Sequence, residues 1–170
     1  MTQDISELPD DMFLVDTDEG GTTLSFSRSP TVLLTFAANR FTRNAAKYYQ
    51  DRFGIGAMDW RMLVMLTRSP GCSVALASKT IGIDKAAVSR SLARLEASGL
   101  AEASCASSDE RRKSWRLTEN GRVLHDRILG VALARQKKLL NGFSPQDVEQ
   151  FTAMLGAFLN NLETLREDGE

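Results

Sequence analysis

The chain is poor in the residues from which most active sites and extracellular scaffolds are built. It holds one histidine and two cysteines in 170 residues. Any Ser–His or metal–histidine constellation would therefore have to run through His125, which stands in a helical stretch between Leu124 and Asp126. No GxSxG, HExxH or P-loop pattern occurs, and GIGAMD at 54–59 lacks the third glycine of a dinucleotide-binding fingerprint. A lone helical histidine is more often a surface or packing residue, so no enzyme activity, metal or cofactor is expected. Cys72 and Cys105 make neither a CxxC pair nor a disulfide framework, which fits a reducing, cytoplasmic setting. No stretch approaches the roughly 18 to 20 unbroken apolar residues of a membrane helix. The start, MTQDISELPDD, lacks the basic-then-apolar order of a signal peptide. What remains is one domain with arms, long enough to bury a core and too short to carry an added catalytic domain.

Excess charge of either sign is also missing, with 21 basic and 22 acidic residues and a net charge of −1. Divided along the chain, the balance changes. Residues 1–29 carry a net −6 and residues 147–170 a net −5, which leaves +10 on residues 30–146. A cationic middle between acidic ends points to a basic working face.

Residues 1–29, with DTDEGG, read as an acidic arm or irregular segment that makes at most a short MFLV contact. From Pro30, apolar residues recur at Leu34, Ala38, Phe41, Ala45 and Tyr48, one face of a helix that Gly54 and Gly56 end. MDWRMLVMLTR at 58–68 is apolar nearly all round and predicts a buried helix. Ser73 to Thr80 forms a short helix, Gly82 a turn, and Asp84 caps a further helix with Val88, Leu92 and Leu95 buried. Gly99 stops that helix, and Leu100 folds back onto it. Thr118 caps a long helix over about 118–140 with two apolar stripes. One stripe holds Leu124, Ile128 and Val131, the other Leu129, Leu133 and Leu140. The last helix opens at Ser144 and Pro145, and Val148, Phe151, Leu155, Phe158, Leu162 and Leu165 repeat in 3-4 steps.

The most informative stretch is 84–121. A short helix runs from an Asp to a Gly, and a strand, a tip with three adjacent cations (Arg111, Arg112, Lys113) and a return strand follow. A helix suits the major groove of DNA, and a cationic hairpin suits the phosphates or minor groove beside it. Residues 73–121 resemble the winged helix-turn-helix of the MarR (multiple-antibiotic-resistance regulator) family. The family's wing signature is matched by Asp109, Arg111, Leu117, Thr118 and Gly121, and its recognition helix by VSRSLARLEASGL. IGAMDWRML, with Trp60, resembles the entry to its second helix, and the likeness covers about 30–166.

The resemblance implies a mostly α fold with a small β-hairpin wing, a winged helix-turn-helix plus a helical dimerisation region. Residues 55–117 would form the DNA-binding lobe, and 30–54 with 118–166 the dimerisation helices, after the arm 1–29. It implies a homodimer on double-stranded DNA with an inverted-repeat operator, with no membrane partner. The DNA set is Lys85, Ala86, Ser89, Arg90 and Arg94 on the helix, and Arg111, Arg112 and Lys113 on the wing. Asp109 would structure that wing. A small-molecule, often phenolic, effector would release a repressor from DNA, and Phe41, Trp60, Arg61 and His125 would line its pocket. Core packing is an equal reading for Trp60 and Phe41. Two departures stand out: Ala103, Ser104, Cys105 and Ala106 occupy a strand where family members often carry basic residues, and the acidic arm exceeds what the fold requires. The rival functions are a regulator without ligand, one switched by redox at Cys72 or Cys105, and a winged helix serving only protein contacts. Redox sensors of the family carry a cysteine near the start of the first helix, and this chain has none there.

Overall fold

The computed structural model describes residues 8–105 and 113–167. A single 3-10 turn (Asp10–Met12) precedes two short strands, β1 (Leu14–Asp16) and β2 (Thr22–Leu24), and then α1 (Pro30–Phe53) and α2 (Ala57–Arg68). After them come α3 (Val74–Ile81), α4 (Lys85–Ala97), β3 (Ala101–Cys105), β4 (Lys113–Leu117), α5 (Glu119–Leu139) and α6 (Pro145–Glu167). Helices with one two-stranded wing are the expected architecture. The chain divides into two compact units, Met1–Arg122 and Val123–Glu170.

The core of the first unit is built on α2. Met62, Leu63, Met65 and Leu66 are buried there, and α2 packs against α1, α4 and β4. Val88, Leu92 and Leu95 of α4, Ala77 of α3, and Trp115 and Leu117 of β4 complete it. Each large side chain removed from water contributes roughly 1.5–3 kcal/mol, before the cost of ordering the chain. On α1 the buried positions are Ala45 and Tyr49, both in its C-terminal half. Of the expected stripe, Leu34 and Tyr48 are half-buried, whereas Ala38 and Phe41 are exposed.

The arm departs from expectation. Residues 14–24 form an antiparallel hairpin with Leu14 opposite Leu24 and Asp16 opposite Thr22. The Thr17 N–H donates to the Gly21 carbonyl at 2.8 Å, Ser25 N–H donates to Phe13 carbonyl at 2.7 Å, and the Arg28 guanidinium donates to the Leu14 carbonyl. The Phe26 ring meets Phe36 of α1 edge-on at 5.2 Å. Acidic composition pointed to an irregular segment, but DTDEGG is turn chemistry between two short β-compatible runs.

In the second unit, Ser144 and Asp147 cap α6 reciprocally. Asp147 N–H donates to Ser144 Oγ at 3.2 Å, and Ser144 N–H donates to Asp147 Oδ2 at 2.8 Å. Ile128 and His125 are buried, while Leu129 and Leu133 on the other α5 stripe are exposed. Half of the α6 seam is uncovered in the single chain: Phe151, Leu162 and Leu165 are 44%, 41% and 48% exposed, whereas Val148, Leu155 and Phe158 are half-buried.

Candidate nucleic-acid interface

The helix-turn-helix is assembled by short-range polar contacts. Ser73 Oγ accepts the Leu76 N–H at 3.1 Å and starts α3. The Ser78 hydroxyl donates to the Ile83 carbonyl at 2.6 Å and pins the turn. Asp84 Oδ1 accepts the Ala87 N–H at 2.8 Å and starts α4. With Val88, Ser91, Leu92 and Leu95 wholly buried, helical geometry turns Lys85, Ala86, Ser89 and Arg90 outward, and all four are exposed. They form one patch on the N-terminal half of α4, where the helix dipole adds partial positive charge. Among the described residues, Lys85 and Arg90 enter no ion pair.

The end of α4 is closed by a Schellman arrangement. Gly99, at φ +67°, donates to the Glu96 carbonyl at 2.9 Å, and Leu100 donates to Leu95 at 2.8 Å. The wing then leaves directly from the helix. Ala101 pairs with Leu117, Ala103 with Trp115 and Cys105 with Lys113. Trp115 N–H donates to the Cys72 carbonyl at 2.9 Å and Gly71 N–H to the Trp115 carbonyl at 2.8 Å, which fixes the wing base to the α2–α3 turn. On the outer side of the wing, Arg116 Nε donates to Glu102 Oε1 at 2.7 Å.

Thr118 and Gly121 seal the return. The Thr118 hydroxyl donates to the Gly99 carbonyl at 2.7 Å and accepts the Gly121 N–H at 3.1 Å. A Cβ on Gly121 would lie 1.9 Å from the Leu100 carbonyl oxygen, so the backbones meet where no side chain fits. Between the outward face of α4 and the wing runs a cleft of about 720 Å³, with Lys85, Ser89, Lys113 and Trp115 among its walls. Asp109, Arg111 and Arg112 lie outside the described residues. The arrangement presents an exposed cationic helix end beside a strand that begins with Lys113, the combination that suits adjacent grooves of a duplex.

A MarR-family model matches residues 53–113. A solved MarR/EmrR-family transcriptional regulator from Acinetobacter sp. ADP1 is 31% identical, with a TM-score of 0.77 over 83% of this chain and 99% of that one. The chain belongs to the MarR family. Over 146 residues it is also 27% identical to the HTH-type transcriptional regulator PetP of Rhodobacter capsulatus, across 83% of this chain and 87% of PetP. The S. aureus MepR–DNA complex shares the fold at 21% identity and a TM-score of 0.68, over 81% of this chain and 99% of that one. As a MarR-type protein, the chain is a DNA-binding transcriptional regulator, a class distinct from enzymes.

Within that MarR frame, Arg94 of the expected DNA set differs from Lys85 and Arg90 in having an ion pair inside the lobe. Its Nη2 donates to Asp59 Oδ1 at 2.6 Å and its Nε to Oδ2 at 3.4 Å, so the guanidinium is paired within the lobe while the side chain stays 54% exposed. Asp59 itself was missed by sequence reading, which saw only an apolar helix. Its one local signal is an acidic residue three positions after Gly56, whose N–H donates to Asp59 Oδ2 at 3.1 Å.

The residues expected around a ligand are only partly gathered. Trp60 and Arg61 share a hollow of about 360 Å³ with Val64, Met65, Arg68 and Ile81. Trp60 packs on Tyr49 with ring centroids 5.9 Å apart, and Arg61 Nη2 donates to Thr42 Oγ1 at 3.3 Å. Phe41 is not in that wall and is half exposed. His125 belongs to the second unit, where its Nδ1 lies 2.8 Å from Asp126 Oδ1. Cys72 is buried and desolvation pushes its thiol up, which disfavours the thiolate a redox sensor needs. The Cys105 side chain lies outside what is described.

Proposed function

We propose that the protein is a dimeric repressor that reads an inverted-repeat operator with α4 in the major groove and the wing beside it. The observation that carries this is the outward end of α4. Lys85, Ala86, Ser89 and Arg90 stand exposed opposite a fully buried apolar face, and the two cations form no ion pair among the described residues. Arg90 pairs with a guanine, Ser89 serves base or phosphate, and Lys113 reaches the backbone. Arg111 enters the minor groove, Arg112 stays nearer the phosphates, and Asp109 holds the tip. Residues 55–117 act as the DNA lobe, and 30–54 with 118–166 as the dimerisation helices.

A gel shift against the chain's own upstream region tests the reading, with a random duplex as reference. Arg90→Ala is expected to cost roughly 1–3 kcal/mol on the operator and to lower the operator-to-random ratio. An unchanged ratio would place Arg90 on phosphate instead.

For release from DNA, the hollow beside Trp60 and Arg61 is the supporting feature. A lining that combines the Trp60 ring with Arg61 and Arg68 suits an amphipathic aromatic acid. A thermal-shift screen of aromatic acids is expected to give hits that Arg61→Ala weakens. A broad panel without a hit would leave a regulator that acts by occupancy alone.

A further inference from the structure

We propose that Asp59 is a positioning residue for DNA recognition: through Ser91 and Arg94 it fixes the rotation of α4, and so the aim of Lys85, Ser89 and Arg90. The inference rests on the reading of α4 as the base-reading helix. Asp59 is 6% exposed, and Ser91 is wholly buried beside it. Asp59 Oδ1 accepts the Ser91 hydroxyl at 2.6 Å and Arg94 Nη2 at 2.6 Å, while Oδ2 faces Arg94 Nε and accepts the Gly56 N–H. One carboxylate thus ties the elbow between α1 and α2 to two successive turns of α4, residues 32 and 35 positions away in sequence.

Energetics argue that this cluster serves geometry rather than bulk stability. Taking a carboxylate out of water is expensive, and apolar residues of similar volume often serve stability as well. Val88, Leu92 and Leu95 already provide non-directional burial on the same side of α4. Apolar packing alone tolerates small rotations about the helix axis. Side chains reach about 5–6 Å from that axis, so a turn of about 10° moves their tips on the order of 1 Å. That displacement exceeds what a bidentate pair with a base edge accepts. A hydroxyl and a forked guanidinium on one fixed carboxylate define a single rotation.

The alternative is that Arg94, 54% exposed, is a phosphate ligand resting on Asp59. The two readings differ in sign and in salt dependence. Coulomb's law alone says that Asp59→Asn, which removes a negative charge from a DNA-binding lobe, tightens binding to every duplex. Positioning says that it weakens operator binding while leaving random DNA, held through phosphates, nearly untouched.

The experiment measures operator and random-duplex affinity over a salt series for full-length wild type, Asp59→Asn, Arg94→Ala and the double variant. The expected result is an operator affinity reduced about tenfold in each single variant, with random affinity within about twofold and the salt slope unchanged. The double variant is expected to lose no more than the worse single, because both break one contact. An unchanged or raised operator-to-random ratio in both singles overturns the proposal. So does an Arg94→Ala slope lowered by about one charge with the ratio intact, since that places Arg94 on phosphate. If Asp59→Asn fails to melt cooperatively, Arg94→Ala and Ser91→Ala decide the matter by the same ratio. Wild type without any operator preference would instead refute the base-reading role of α4, a distinguishable failure.

Discussion

Gly121 shows how a single missing side chain holds this fold together. Its backbone lies so close to Leu100 that a Cβ would meet the carbonyl oxygen at 1.9 Å, and the obstacle is main chain rather than a side chain that can swing away. Gly121→Ala is therefore expected to destabilise by about 2 kcal/mol or more. For a chain of this size that is a Tm lower by roughly 5 °C or more, read by circular dichroism or calorimetry. A wild-type Tm would show that α5 can move away from Leu100 at no cost. Arg94 adds a second lesson at the same scale: a cation on the exposed side of a DNA-binding helix already has a carboxylate partner, Asp59, inside the lobe.

At the scale of elements, helix ends do most of the organising. Asp84, Ser73 and Ser144 each satisfy an otherwise unpaired N–H at a helix start, and replacing one by Ala typically costs about 1 kcal/mol. The α6 cap also carries a pH signature. The Ser144 hydroxyl and then its N–H hold the Asp147 carboxyl below its ordinary value. A depressed acid stabilises the fold above the pKa it has when unfolded, and that contribution fades as pH falls through the folded value. The stability gap between wild type and Asp147→Asn should be full at neutral pH and close in acid, below the usual Asp range near about 3.9. Parallel denaturant titrations of the two proteins from neutral to acid check this, and a gap that widens on acidification would reverse the sign. The N-terminal hairpin is the element that composition concealed. Its strands are three residues each, too short to show a period, and tertiary contacts such as Phe26 on Phe36 complete it.

For the whole molecule, the uncovered apolar seam of α6 is the outstanding feature of the single chain. Phe151, Leu162 and Leu165, together with Leu129 and Leu133 of α5, are large apolar side chains left 38% to 50% exposed, the residue type that lines protein–protein interfaces. The proposed two-fold dimer would cover that seam and would set two recognition helices about 34 Å apart, one turn of DNA. Light scattering at micromolar concentration is expected to give twice the chain mass, and Leu162→Asp should shift the protein toward monomer and weaken operator binding. A wild-type monomer at that concentration would remove the dimer and, with it, the inverted-repeat operator.

Much of this architecture is written in local signals. A cap, a period and a stop each act within a turn or two, so Asp84, the Val88–Leu92–Leu95 stripe and Gly99 were enough to bound α4 and to turn Lys85, Ala86, Ser89 and Arg90 outward. The match of Leu117, Thr118 and Gly121 to the family's wing signature likewise implies the wing's return. Contacts that bridge distant segments have no such signature. Asp59 meets Ser91 and Arg94 across 32 and 35 residues, and which carboxylate claims which cation depends on how α2 and α4 pack. The close approach of Gly121 to Leu100 is of the same kind. Sequence alone determined the helices and, through the family resemblance, the DNA-binding class, but it read the buried face of α1 only in part, since Ala38 and Phe41 are exposed. The tertiary structure decided which charges pair within the lobe, because burial and distance assign partners that residue type and spacing leave open.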